Sequence, residues 1–255
     1  ALGRGRRLAE SSALRYIGYN KARREIARHV GVDPYSSNPL LDERLDRLAW
    51  ISWSGNVATN LGLGMIGGLA AQAIGVARDA HELVWELPPA DLRRRNLRVL
   101  AGFGIAGKPA RDFTRNNAFT LTQQTEFVEL LRLDSFVGIR VEVFAIALQS
   151  EREVHARFLL RSMRMLHREI QKTDRASPTV VGLLPALLRS DGSHTVPLPV
   201  DYVHWTAEVA ALAQAPELAA RHNNLLLVSG RMSKQARHNF SLAGWSIREG
   251  VSDGD

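Results

Sequence analysis

The longest gap between charged side chains runs from Leu48 to Ala77: thirty residues between Arg47 and Arg78, six of them glycine. A helix that spans a bilayer needs about 20 apolar residues, so the length suffices. Ser52, Ser54, Asn56, Thr59, Asn60 and Gln72 dilute it, however. Gly64 and Gly68 lie one helical turn apart and would let a second helix approach closely. The expectation is a buried helix around which the others pack, with a membrane-associated segment and a ligand loop as the alternatives. Gly62 to Gly67 fits the spelling G-x-G-x-x-G, and Glu82 and Glu86 follow near the distance of a ribose-binding acid. The preceding NVATNL makes a poor strand, which argues against a dinucleotide loop.

Around this stretch the periodicity is helical. Ile17, Ala22, Ile26 and Val30 form one stripe, with arginines opposite and Gly31 as terminator. Asp33-Pro34 to Asn38-Pro39 is a turn that ends in a helix cap, and LLDERLDRLAWISW follows with Leu41, Leu45, Leu48, Ala49 and Trp53 on one side. A helix through ARDAHELVWEL stops at Pro88 and Pro89, and another is expected from Asp91. Gly102 to Phe119 reads as loop with one short helix; its AGKP does not complete a phosphate loop because Pro109 follows Lys108. Thr120 with Gln123, and Ser150 with Glu153, spell two capping boxes. Val137 to Gln149 is β-rich in composition, but residues 139–149 are expected as helix, and Leu159, Met163, Leu166 and Ile170 mark the next one.

Past Thr173 the pattern changes. Two apolar runs flank Asp191-Gly192, which predicts a hairpin. Thr206 should cap a helix, NNLLLVSG should be a buried strand, SKQARHNFSLAG a helix between Ser233 and Gly244, and WSIREG a second strand. A strand, a short helix and a strand imply a right-handed parallel crossover. The expected architecture is mainly α: a helical region over residues 1–172 packed around the Gly-rich uncharged helix, then a small α/β unit over 173–255, made of a hairpin plus strand-helix-strand.

Composition narrows the classes. The chain has 255 residues, 45% of them hydrophobic, enough for a sizeable core. It has no cysteine, which excludes disulfides, thiolate metal sites and a cysteine nucleophile. The net charge of +7 is uneven: from Thr173 onward seven basic residues face eight acidic ones, which leaves 26 against 18 in residues 1–172. Such a basic region suits phosphate, anionic lipid or acidic protein surfaces. No signal-peptide pattern is visible at Ala1, and the compartment is open, with export or membrane association the favoured expectation.

Candidate chemistry is sparse. Asp201 and His204 form the best catalytic pair, since an aspartate can orient a histidine; hydrogen bonding at a strand end is the plainer reading. Ser229 and Ser233 lack the G-x-S-x-G elbow of a hydrolase. Arg231 and Ser233, at a strand-to-helix turn, could bind an anion, and so could Arg93, Arg94 and Arg95; a solvated face is the alternative for each. No metal or cofactor is expected: H-E-x-x-H is absent and no Glu-x-x-His pair is present. The favoured function is a non-catalytic binding or structural protein that docks on a protein partner, or on an anionic membrane surface, through an apolar helix and arginine-rich faces. An enzyme or ligand-binding domain with its site in the C-terminal unit is the alternative. Nucleic acid has the charge but no motif, and oligomeric state is left open.

Overall fold

A computed structural model describes residues 18–54, 76–172, 176–219 and 223–252. The Gly62–Gly68 segment, the heart of the uncharged stretch, lies outside them, as does the basic GRGRR at Gly3–Arg7. Leu48–Ser54 complete one helix, and Val76 and Ala77 open the next.

Helix α1 covers 18–30 and ends where Gly31, at φ +69°, lets Val32 N–H reach back to the Ala27 carbonyl at 2.9 Å. Asn38 caps α2 (Pro39–Ser54), its Oδ1 accepting from Leu40 N–H at 3.0 Å. The two helices meet through Ile26, Ala27, Leu45 and Ala49. Arg23 lies between them and pairs with Asp42 and Asp46, whose side chains stay half-exposed. Trp85 of α3 (Val76–Glu86) locks the turn by donating to the Val32 carbonyl at 3.0 Å.

Helix α4 (Pro89–Gly102) starts two residues before the expected Asp91, because proline suits the first helical position. The segment expected as mostly loop contains α5 (Gly107–Thr114). Helix α6 (Leu121–Arg132) carries the predicted capping box of Thr120 and Gln123 in full. A 3-10 turn (Asp134–Ile139) leads into α7 (Arg140–Leu148), which bears out the helical reading of 139–149.

The second capping box is not formed. Helix α8 (Glu153–Ile170) begins after Arg152, which makes no side-chain cap. Ser150 instead donates back to the Ile146 carbonyl at 3.5 Å, and Glu153 accepts from Gln123 of α6 at 3.2 Å.

Helix α6 is the axis of the helical region: Leu121, Thr122 and every residue from Gln124 to Leu131 are buried. Phe113, Phe119, Phe127 and Phe144 cluster beside it, with Phe113 ring centroids 5.1 to 5.5 Å from the other three.

The C-terminal unit is α/β. Strands β1 (Ala176–Val181), β2 (Leu184–Arg189), β3 (His194–Leu198), β5 (Leu225–Val228) and β7 (Ser246–Arg248) form one sheet in the order β1-β2-β3-β5-β7. The first two pairings are antiparallel and the last two parallel, so the predicted crossover is present. The first apolar run, expected as one arm of a hairpin, is itself a hairpin: Gly182 at φ +58° turns it, and Val181 pairs with Leu184. Beyond the main sheet β4 (Tyr202–Val203) pairs in parallel with β6 (Arg231–Met232).

Helices α9 (Ala207–Ala213) and α10 (Pro216–Ala219) connect β3 to β5, and α11 (Lys234–Leu242) connects β5 to β7. Ala213, Leu218, Ala236 and Phe240 from these helices share one cluster with Val196, Leu226 and Val228, so both crossovers cover the same face. Leu187 and Leu227, at alternate positions, are fully buried on the other side. The change of pattern at Thr173 falls between α8 and β1. Helix α8 packs on both sides of it, giving Leu159 and Met163 to the helical core and Phe158 to the cluster on the sheet.

Candidate functional site

The carboxyl ends of the parallel strands are where an open α/β sheet offers a ligand crevice, but only where successive connections leave for opposite faces. Here the order β3-β5-β7 runs one way and both connections share a face, so the topology opens no such crevice between them.

At the start of α11 some of the groups that could meet an anion are already engaged by the chain itself. Ser233 spends its hydroxyl as the helix cap, accepting from Ala236 N–H at 3.1 Å. The Glu249 carboxylate accepts from Met232 N–H at 2.5 Å and from Arg237 at 2.6 Å, next to the helix start. Ser229 donates to the Val200 carbonyl at 3.1 Å, as a strand-end serine and not an activated nucleophile.

Asp201 and His204 are close in sequence yet are not coupled. Among the described residues no hydrogen bond joins their side chains, and both are exposed. The His204 ring lies against Tyr202, with centroids 4.7 Å apart. Asp201 acts through its backbone: its carbonyl accepts from Arg231 N–H at 3.0 Å, and a Cβ on Gly230 would sit 1.9 Å from that oxygen. Glycine is therefore required at 230 by close backbone approach. The Arg231 guanidinium is exposed and has no partner among the described residues.

The arginines of α4 part company. Arg93 is exposed, Arg94 pairs with Asp91, and Arg95 turns inward to Glu129 at 2.6 Å. Of the three expected anion-binding arginines only Arg93 is left without a partner among the described residues, and the exposed Arg98 lies farther along the helix.

Polar groups on α6 form the densest cluster of buried chemistry, and single-sequence periodicity gave no sign of it. Glu126 receives Arg164 of α8 at 2.7 Å; Glu129 receives Arg95 and Arg132; Thr125 accepts from Asn96 of α4 at 3.1 Å. Thr122 donates to Asp33 at 2.5 Å, and Asp33 also accepts from Tyr35 N–H at 2.8 Å. Burial pushes the Asp33 carboxyl above its usual range, against the opposing pull of these hydrogen bonds and of His81 and Arg23. Ser135, at the start of the 3-10 turn, lies 2.9 Å from His167 Nδ1. Partial burial, then Arg168, holds that imidazole below its ordinary pKa, so it is neutral at pH 7. The spacing of 32 residues between them hid the pair from sequence reading. A nucleophile-base reading needs an accessible hydroxyl, and Ser135 is buried.

Among the described residues no three His, Asp or Glu side chains gather as metal ligands, and no helix is long and apolar enough to cross a membrane. Compared with protein-family models, curated proteins and solved structures, the chain has no match.

Proposed function

We propose that this is a non-catalytic binding or structural protein that docks through the outward side of α2 onto a protein partner with an acidic, partly apolar surface. One observation carries the reading. Leu40, Arg44, Arg47 and Ile51, spaced by four, three and four residues, share one side of α2, and all four are exposed. Leu40 is 69% exposed and Ile51 43%, with Trp50 beside them at 59%. Asp42 and Asp46, half-exposed, are paired with Arg23, which neutralises part of the negative charge of α2. Arg47 pairs with Glu43 at 2.6 Å, and Arg44 is the cation of this row with no partner among the described residues. Exposed apolar side chains beside unneutralised arginine suit a surface that is acidic and partly apolar. Arg93 and Arg98 on α4 extend the basic character.

An anionic membrane surface presents the same chemistry, and the experiment separates the two. The full chain, with a photo-crosslinking residue at Arg44, is irradiated in cells that express it and, separately, sedimented with phosphatidylcholine vesicles with or without phosphatidylglycerol. A discrete protein adduct that is lost in Leu40→Glu/Ile51→Glu supports a protein partner. Pelleting only with the anionic vesicles, lost in the same variant, points to the membrane. Identical behaviour of variant and parent in both arms would refute docking through α2. The alternative, an enzyme or ligand-binding domain with its site on the C-terminal unit, has the open guanidinium of Arg231 in its favour.

A further inference from the structure

We propose that the outward face of the β4–β6 ribbon binds a nucleoside phosphate, with the base against Tyr202 and His204 and the phosphate on Arg231. The inference deepens the ligand-binding alternative and is independent of α2. The parallel register sets Tyr202 opposite Arg231 and Val203 opposite Met232. Val203 and Met232 are buried, so strand alternation turns Tyr202 and Arg231 out to the same side. His204, two residues beyond Tyr202, is exposed with its ring 4.7 Å from the tyrosine ring, centroid to centroid. Tyr202 is 50% exposed. The two rings are tilted by 50°, so a flat ring can stack on Tyr202 with His204 at its edge, and the unneutralised guanidinium of Arg231 alongside suits a negative group on that ring.

The local charges support that pairing. Arg237 is already engaged by Glu249, so Arg231 and the exposed Lys234 are the cations left for a ligand. Asp201 is the exposed acid next to the ribbon and opposes a phosphate there. The platform is preformed: Gly230 packs on the Asp201 backbone, and Ser233 N–H donates to the Val203 carbonyl at 2.9 Å. Because stacking accepts any base, the same face could take a free nucleotide or one unit of a single strand.

Titration of the full chain with adenosine monophosphate, adenosine, inorganic phosphate and a fluorescent oligoadenylate tests this. The nucleotide should bind more tightly than adenosine or phosphate alone. Tyr202→Ala and Arg231→Ala should each weaken it roughly tenfold, Tyr202→Phe should retain binding, and Asp201→Asn should tighten it. Oligoadenylate binding that is much tighter and falls steeply with salt identifies a strand as the source; equal affinities identify the free nucleotide. Circular dichroism of each variant confirms the fold. Failure of the parent chain to bind either ligand, or binding that neither alanine variant alters, overturns the proposal, and neither result bears on docking through α2.

Discussion

Helix α6 and strands β3 and β5 are both shut away from water, but they are seated in opposite ways. Along α6 Thr122, Gln123, Gln124, Thr125, Glu126 and Glu129 tie it to four neighbours: the α1–α2 turn through Thr122, α8 through Gln123 and Glu126, the end of α5 through Gln124, and α4 through Thr125 and Glu129. Strands β3 and β5 are buried against apolar helices mainly through Val196, Leu198, Leu226 and Val228. Oily contacts are non-directional, whereas a buried hydrogen-bonded charge accepts few arrangements. The polar ties of α6 therefore select how five helical segments meet, and the sheet depends on volume and alternation.

The difference predicts unlike responses to mutation. The largest effect is expected for Arg164→Met, which takes the guanidinium from the buried Glu126 and should cost about 3–5 kcal/mol in denaturant unfolding. Adding Glu126→Leu should restore most of it; a double variant no better than the single would show that the pair is not what seats α6. In the sheet, Leu226→Ala should cost about 2–5 kcal/mol through the cavity it leaves. No second polar substitution should rescue it. Gly230→Ala comes next, at about 1–3 kcal/mol, since either Asp201 or the ribbon must move. Thr120→Ala should remove about 1 kcal/mol with the capping box.

The smallest effect has the opposite sign. Because the folded Asp33 pKa is raised, its contribution to stability is present below the ordinary carboxylate range and is lost as pH rises through the folded value. Asp33→Asn should then melt slightly higher than the parent at pH 7 and show no advantage near pH 3. A lower melting temperature at pH 7 would mean that His81 and Arg23 outweigh the burial.

Legibility followed the range of the forces involved. The caps at Asn38, Thr120, Thr206 and Ser233 were readable because donor and acceptor lie within three residues of each other. The Ser150–Glu153 box had the same spelling and failed, because α8 starts only at Glu153, two residues past the position Ser150 would cap, and Glu153 meets Gln123, thirty residues away. Likewise Asp201-x-x-His204 looked like a dyad only by proximity in the chain. In the fold the histidine turns to Tyr202 and the aspartate lends its backbone to Arg231.

By itself the sequence determined the periodicities, the turns and most caps, and hence a mainly α chain with an α/β tail, since these depend on neighbours three or four residues apart. Only the tertiary structure decided which described helix is enclosed on all sides, which arginines are consumed in ion pairs, and that both crossovers share a face. Those outcomes depend on burial and on partners dozens of residues away, and the hydrophobic pattern of a single segment carries no record of either.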